Sequence, residues 1–426
     1  MENYLRKTEK GSVWVTEEVQ KKCQKIQEEV IREIDLQGKV EDEAIWECIE
    51  ECVLKMGHTI YLSAKEKDEM IRTVFNSIRR WDVLQEILED NSITEVMVNG
   101  PDHIFIERDG KISPYPHSFS SREKLEDIVQ QIVAGANRRV NEADPIADVR
   151  LMDGSRVNIV LPPIALEGPV VTIRKFPSQP IGMEKLIEIG SVSKEAASFL
   201  QCLVRAKYNI FISGGTGSGK TTFLNALSDY IPPEERIITI EDAAELQICN
   251  IPNLVRLEVR NANLEGKHAI TIRDLMKSAL RMRPDRIILG EVRDAAACEL
   301  LNVMNTGHDG SLCTGHANSP SDMLNRLETL VLTGMDIPLM AIRNQIASAL
   351  DIVVQLGRLR DKSRKVLEID EVMGIKDGEV LLVPLYRFEE SGNEKAIVKG
   401  SLKPTGHTLA HREKLQAAGI ELPEGL

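Results

Sequence analysis

The chain of 426 residues lacks the features of secreted and membrane-spanning proteins. It has no apolar run long enough to cross a bilayer, and charged residues occupy the N-terminus from Glu2 onward, where a signal peptide would be apolar. Its seven cysteines are scattered and odd in number, which argues against a disulfide framework in a chain of this size. We therefore expect a soluble chain in the reducing cytoplasm.

Positive charge is also scarce. The chain has 66 acidic residues against 53 lysines and arginines, giving a net charge of −13. A protein that holds nucleic acid by its surface charge needs the opposite balance, because phosphate contacts dominate that affinity. No stripe of alternating aromatic and basic residues compensates. No nucleic-acid partner is expected, although the net charge leaves room for a local basic channel.

Internal repeats and low-complexity tracts are absent as well, and the apolar pattern divides the chain into regions. Helical spacing over residues 1–80 predicts an N-terminal helical segment. Short strands and helices over 81–176 predict a small α+β domain, and the proline- and glycine-rich stretch 177–182 predicts a linker. Strands and helices alternate from 183, which predicts that 183–426 is an α/β domain with helices on both sheet faces and a C-terminal hairpin and helices.

One stretch of the last region has a specific chemical signature. An apolar strand leads into the loop Gly214-Gly215-Thr216-Gly217-Ser218-Gly219-Lys220-Thr221, and Thr222 opens a helix. In a phosphate loop, glycines let backbone N–H groups approach an anion and the helix N-terminus adds partial positive charge. Lys220 is then expected at the β- and γ-phosphates and the Thr221 hydroxyl on Mg²⁺. A glycine-rich loop without a ligand is the alternative, and the lysine argues against it.

Acidic residues and histidines accompany three further predicted strands: Glu241 and Asp242 follow one, Gly290 and Glu291 follow the next, and His308 and His316 bracket Ser311–Thr314. In open α/β sheets, ligands bind at the carboxyl ends of the strands. Such clusters beside a phosphate loop therefore predict nucleotide hydrolysis.

The clusters also suggest individual roles. Glu291 has the length to reach Mg²⁺ through a water molecule, and Glu241 is favoured as the base or as the group that positions the attacking water. His308 and His316 are each expected to sense the γ-phosphate. The alternatives are that Asp242 caps a following helix and that the histidines are satisfied in the core or between domains.

Longer stretches around these residues resemble the motifs of type II/IV secretion-system motor ATPases. The segment TIEDAAEL (239–246) resembles their Asp box, RMRPDRIILGEVR (281–293) their Walker B region and MNTGHDGSLCTGHANSP (304–320) their His box. The segments ITEVMVNGPDHIFIERDGK (93–111) and VRLMDGSRVNIVLPP (149–163) look like the N-terminal domain of the same family. The most similar subgroup is the CpaF-like ATPases of Flp (tight-adherence) pilus assembly.

The resemblance implies a RecA-like P-loop NTPase core that uses ATP and Mg²⁺. It implies a homo-oligomeric ring, normally a hexamer, with nucleotide between the two domains. Arginines of the small domain are then expected at the γ-phosphate, and the matching residues are Arg150, Arg156 and Arg174. The ring would act peripherally at the cytoplasmic face of the membrane, on an inner-membrane platform protein, to drive pilus assembly or protein export. Gly315 replaces a β-branched residue of the family, which predicts a looser strand before His316.

Three other functions are weighed against this one. A GTPase switch normally carries an Asn-Lys-x-Asp motif, which the sequence lacks. A ring ATPase that translocates nucleic acid has the same motifs but fits poorly with a pI near 5.3. A scaffold that binds nucleotide without hydrolysing it would not need both Glu241 and Glu291.

Overall fold

The computed structural model describes residues 17–33, 41–57, 62–108, 110–136, 138–176, 180–260, 268–391 and 398–422. The chain forms two compact units, Met1–Ser178 and Gln179–Leu426. The predicted linker, 177–182, spans their boundary, and its residues 177–179 lie outside the described ranges. The predicted helical segment and the predicted small domain belong to the same first unit. No helix in the described ranges has both the length and the apolar character that a bilayer crossing requires.

The described part of the first unit begins with helices α1 (Glu17–Glu33), α2 (Asp42–Gly57) and α3 (Ala64–Arg79). Their apolar stripes form a shared core that contains Ile26, Ile49 and Phe75. Helix α3 starts with a capping box, in which the Ser63 side chain accepts from the Glu66 N–H and the Glu66 carboxylate accepts from the Ser63 N–H. Helices rich in Glu and Lys are thus held by one buried stripe each, and α3 also by its capping box.

The rest of the first unit is an antiparallel sheet with two helices. Its elements are α4 (Val83–Glu89), β1 (Ile93–Asn99), β2 (Ile104–Arg108), β3 (Lys111–Pro114), α5 (Arg122–Gly135), β4 (Ile146–Arg150), β5 (Arg156–Val160) and β6 (Val170–Arg174). The strand order is β3-β2-β1-β6-β5-β4. Strand β5 buries only alternate residues, Val157 and Ile159, as a sheet with one covered face requires. The helices share this core through Leu84 and Ile128.

The second unit is built on a larger sheet with helices between its strands. Its elements are α6 (Met183–Glu188), α7 (Lys194–Arg205), β7 (Ile210–Gly214), α8 (Lys220–Ser228), β8 (Ile237–Glu241), β9 (Leu254–Glu258), α9 (Ile272–Ala279), β10 (Arg286–Leu289), α10 (Ala296–Asn305), β11 (Leu312–Gly315), α11 (Pro320–Gly334), α12 (Leu339–Ala349), β12 (Ile352–Arg358), β13 (Arg364–Lys376), β14 (Glu379–Glu390), β15 (Gly400–Pro404) and α13 (Glu413–Ala418).

The strand order in this sheet is β15-β14-β13-β12-β7-β11-β10-β8-β9. Strands β12 to β9 in that order are parallel, whereas β13, β14 and β15 add antiparallel pairings at one side. Both faces are covered, because Ile212 of β7 packs into one core and the preceding Phe211 into another. This confirms the predicted α/β class, and it places the carboxyl ends of the parallel strands along one edge.

Buried polar side chains fix the amino ends of the central strands. Asn209, just before β7, accepts a hydrogen bond from the Gly310 N–H at 2.9 Å. Arg286, the first residue of β10, is fully buried, forms a two-point ion pair with Glu235 and donates to the Val204 carbonyl at 2.6 Å. These groups are satisfied by protein partners, so the chemistry predicted for the sheet belongs to its opposite edge.

Candidate active site

The glycine-rich loop, 214–221, joins β7 to α8 at the carboxyl edge of the parallel strands. Gly217 and Gly219 have φ angles of 70° and 95°, a region that residues with side chains rarely adopt. A Cβ atom at Gly214 would lie 2.7 Å from the carbonyl oxygen of Leu356 in β12. The loop therefore needs its glycines, and it ends at the first turn of α8, whose N–H groups have no partner within the helix.

Lys220 is the first residue of α8, and its side chain folds back over the loop. Its Nζ atom donates to the carbonyl oxygens of Gly214 and Gly215, each at 3.0 Å, and lies 3.3 Å from Nδ1 of His316. Burial lowers the pKa of Lys220, and the nearby Glu291 carboxylate opposes that shift. The ammonium is thus held by loop carbonyls, with which an incoming anion would compete.

His316 lies directly after β11 and connects Lys220 to Glu291. Because an ammonium group can only donate, Nδ1 of His316 must accept, and the ring proton belongs on Nε2. Nε2 lies 3.1 Å from Oε1 of Glu291, so it donates to that carboxylate. Burial lowers the pKa of His316, which favours the same neutral ring. The contacts from Lys220 through His316 to Glu291 form one series, and this contact series joins the ends of β7, β11 and β10 at the loop.

Glu291 is also tied to the Asp box through an arginine. Arg293 donates to Oε2 of Glu291 at 2.9 Å and to Oδ2 of Asp242 at 3.1 Å. The alternative that Asp242 caps a helix is excluded, because no helix follows it in the described residues up to 260. Its carboxylate instead forms an ion pair with Arg293. Because Arg293 also pairs with Glu291, ion pairs connect the ends of β8 and β10.

Glu241, the last residue of β8, is buried with 3% of its surface exposed. Its Oε2 accepts from the N–H groups of Glu245 at 2.7 Å and Leu246 at 2.9 Å. Its Oε1 is buried without a hydrogen-bond partner in the part of the chain that the structure describes. Burial raises the pKa of Glu241, a property expected of a proton-accepting carboxylate that works near neutral pH.

The glycine that precedes Glu291 has a steric explanation. A Cβ atom on Gly290 would lie 2.9 Å from Cγ of Glu241 on the neighbouring strand. The Gly-Glu ending of β10 therefore leaves room for the side chain at the end of β8.

Gly315 also serves close packing, contrary to the expectation of a looser strand. It is the last residue of β11 and is in register with Ser213 of β7. A Cβ atom there would lie 2.8 Å from the ring of Phe211 and 2.9 Å from Sδ of Met323. The missing side chain lets the strand that carries His316 approach its neighbours.

His308 does not join this group. It precedes β11, at the amino ends of the strands, where its carbonyl accepts from Oγ of Ser311 at 2.8 Å. Asn209 accepts from the Ser311 N–H at the same edge. The expectation that His308 contacts the γ-phosphate together with His316 is therefore wrong for this unit. A residue before a parallel strand and a residue after it lie at opposite edges of the sheet.

The three arginines predicted from the small domain lie side by side within the first unit. Arg150 pairs with Arg156 between β4 and β5, and Arg156 pairs with Arg174 between β5 and β6. Directly opposed residues lie on the same sheet face, and adjacent like charges are unfavourable unless they are neutralised. We call this set the arginine row. Arg150 also lies over the Phe176 ring, with 5.9 Å between the guanidinium carbon and the ring centroid.

The groups around the loop fit a nucleotide with Mg²⁺. Within the described residues, no set of three or more His, Cys, Asp or Glu side chains is arranged to hold a metal ion. A magnesium ion bound to phosphates needs only one or two protein oxygens. The Thr221 hydroxyl at the start of α8 and the Glu291 carboxylate offer such oxygens. Both Glu291 oxygens already have partners, which favours contact through water.

Comparison with known proteins agrees with this geometry. The family model described as Type II/IV secretion system protein matches residues 80–400. The chain belongs to this family. Conjugal transfer protein TrbB of Rhizobium radiobacter is 34% identical over 321 residues, which cover 73% of this chain and 94% of that protein. Protein VirB11 of Agrobacterium fabrum is 33% identical over 320 residues, covering 68% and 90%.

A solved structure, the ATPase DotB of Yersinia pseudotuberculosis, is similar in fold. The TM-score is 0.50 at 19% identity, and the match covers 68% of this chain and 78% of that chain. The second unit accordingly has the RecA-like fold of that structure. The family match and the relatives TrbB and VirB11, rather than this structure, identify the chain as a secretion-system motor ATPase.

Two residues near the loop of this secretion ATPase were missed in the sequence. Arg293 lies within the Walker B-like segment, and its place two residues after Glu291 was a usable signal. Arg364 of β13 donates from Nε to the carbonyl oxygen of Gly217 at 2.9 Å. Arg364 lies 147 residues from Gly217 in the sequence, so no local sequence pattern predicts this contact.

Proposed function

We propose that this chain hydrolyses ATP at loop 214–221 with Mg²⁺, and that a ring of its subunits converts the reaction into work for pilus assembly or protein export. The observation that carries the proposal is the contact series from Lys220 through His316 to Glu291. A glycine-rich loop alone would bind an anion. An acid and a neutral histidine joined to its lysine add groups that can respond to the terminal phosphate and act on it.

Each part of the site has a role in this proposal. Backbone N–H groups of residues 214–222 bind the phosphates, and Lys220 leaves the loop carbonyls for the β- and γ-phosphates. Thr221 and, through water, Glu291 hold Mg²⁺, which neutralises charge on the phosphates when bound. His316 then loses its Lys220 partner, so its position reports the γ-phosphate to Glu291.

Glu241 is the proposed base, or the group that orients the attacking water. Its raised pKa and its buried, unpartnered Oε1 support this role, and the two N–H groups on Oε2 fix its orientation. His308 is left out of the set because it lies at the other edge of the sheet. We assign γ-phosphate binding to the arginine row because the resemblance to secretion-system motor ATPases implies small-domain arginines at the γ-phosphate.

The two acids are separated by one experiment. Glu241→Gln should still bind ATP with Mg²⁺ while turnover falls about 10²–10⁴-fold, the usual contribution of a positioned base. Glu291→Gln should raise the Mg²⁺ concentration needed for half-maximal turnover. The matched control is Glu234→Gln, which removes an exposed carboxylate that precedes β8 in the same unit. If Glu291→Gln blocks hydrolysis and Glu241→Gln does not, the roles are reversed.

The assembly and its cellular place are also proposals. We propose a homo-hexamer at the cytoplasmic face of the membrane that acts on an inner-membrane platform protein, and relatives named for conjugal transfer and type IV secretion support this setting. Within that range we favour a CpaF-like pilus assembly motor and a protein cargo, because the net charge of −13 disfavours nucleic acid. Light scattering should show an oligomer that a non-hydrolysable nucleotide stabilises, and a strict monomer would contradict the ring.

A further inference from the structure

The turn between β12 and β13 brings a second cation to the phosphate loop. Nε of Arg364 donates to the Gly217 carbonyl at 2.9 Å, and its Cδ lies 3.5 Å from where a Cβ on Gly219 would be. The side chain is exposed. Across the described ranges, no carboxylate pairs with this guanidinium and the Gly217 carbonyl is its one hydrogen-bond acceptor. The two terminal nitrogens therefore remain available beside the loop.

The backbone that carries Arg364 is held from two sides. Asp361 accepts from the Ser363 hydroxyl at 2.6 Å and from the Val398 N–H at 2.9 Å. These hydrogen bonds, that of Ser363 foremost, lower the pKa of Asp361 to about 2. The carbonyl of Arg364 itself accepts from Oγ of Ser191 at 2.8 Å. A side chain on a fixed backbone, anchored through Nε, loses little freedom when a ligand arrives.

Lys220 and Arg364 lie on different flanks of the loop. Strand β7 lies between β11 and β12 in the sheet. The Lys220 ammonium contacts His316 on the β11 flank, whereas Arg364 contacts the loop from the β12 flank. If Lys220 takes the β- and γ-phosphates, the rest of the nucleotide extends away from that flank.

We propose that Arg364 binds the nucleoside end of the nucleotide, with the plane of its guanidinium group packed on the base. This inference rests on the proposed function, because it takes nucleotide binding at the loop as given. Guanidinium suits the role, since it is planar, weakly hydrated and stacks on aromatic rings. A lysine ammonium has no such face.

The test compares ADP, which carries a nucleoside on its phosphates, with inorganic tripolyphosphate, which consists of phosphates alone. ADP and inorganic tripolyphosphate are titrated calorimetrically into the full chain and into Arg364→Ala, Arg364→Lys and Arg360→Ala. Arg360 is the matched control, because it lies in the same turn and its guanidinium is paired with Glu390 at 2.7 and 2.8 Å. We expect Arg364→Ala to weaken ADP binding about 3- to 30-fold, the range of a stacked guanidinium, without changing tripolyphosphate affinity.

The controls separate this inference from the proposed function. The ADP affinity of Arg364→Lys should be closer to that of Arg364→Ala than to that of the parent, because lysine restores the positive charge without the planar guanidinium group. Unchanged ADP affinity in Arg364→Ala, equal loss for both ligands, or an equal loss in Arg360→Ala would each overturn the nucleoside contact. A parent chain that does not bind ADP would instead overturn the phosphate-loop proposal itself.

Discussion

Gly290 is packed so closely that the addition of one methyl group should destabilise the fold. The variant Gly290→Ala adds one methyl group, which would meet Cγ of Glu241 at 2.9 Å. Gly290 does not have a φ in the left-handed region, so alanine brings no backbone strain there. Glu241 cannot easily give way, because Oε2 is held by two N–H groups at 2.7 and 2.9 Å. The whole effect should therefore come from the clash.

The expected cost is that of overpacking a filled site, about 1–3 kcal/mol. In a unit of this size, each kcal/mol lowers the melting temperature by about 2–4 °C. Thermal and urea unfolding should therefore show a loss of about 2–12 °C at unchanged urea m-value. Gly182→Ala is the matched control in the same unit, because φ there is −77° and the nearest atom to an added Cβ would lie 4.0 Å away.

A double-mutant cycle identifies the partner. In a Glu241→Ala background Cγ is gone, so adding Gly290→Ala should cost almost nothing further. Coupling close to the single-variant cost is expected, since residues in contact are not additive. An equal cost in both backgrounds, or no cost in the parent, would refute the stated contact between β8 and β10.

Two further predictions concern the arginine row and a buried acid. Arg150→Ala and Arg156→Ala should lower ATP turnover, by up to about 10³–10⁵-fold, while ADP affinity is nearly kept; equal loss of both would make these arginines structural. Asp370 of β13 is 2% exposed and burial raises its pKa from 3.8 to about 8, so the folded chain keeps a proton that the unfolded chain releases. Stability should thus fall as pH rises from about 4 to about 8, and Asp370→Asn should flatten that slope in urea titrations; an unchanged slope would contradict the assigned pKa.

The sequence was most informative where the chemistry is local. The loop, its preceding strand and Lys220 are contiguous, so their pattern alone predicts a phosphate cradle. The meeting of Glu291 and His316 also follows from sequence, because both come after parallel strands and such residues share one edge. The loop geometry and the Lys220–His316–Glu291 contacts agree with these expectations.

The remaining features depend on which strands are neighbours. Gly290 and Gly315 are glycines because an added Cβ atom would meet side chains on the neighbouring strands β8 and β7. The sequence of one strand does not reveal which strands lie beside it. His308 and His316 are close in sequence but lie at opposite ends of β11, so only His316 reaches the edge of the sheet that carries the loop. Asp242 caps no helix because no helix follows it in the described residues up to 260, where the N–H groups of Glu245 and Leu246 bind Glu241. Arg364 reaches the loop only through the β12–β13 pairing.

The central claim is that the loop of residues 214–221 binds ATP for hydrolysis, and Lys220 tests it most directly. Lys220→Ala removes the ammonium that bridges the loop carbonyls and His316. Lys185→Ala is the control, because it removes an exposed lysine paired with Glu188 in the same unit. ATP turnover and ADP affinity measured on both should show turnover abolished and binding weakened in Lys220→Ala alone. Turnover at the parent rate in Lys220→Ala would contradict the account.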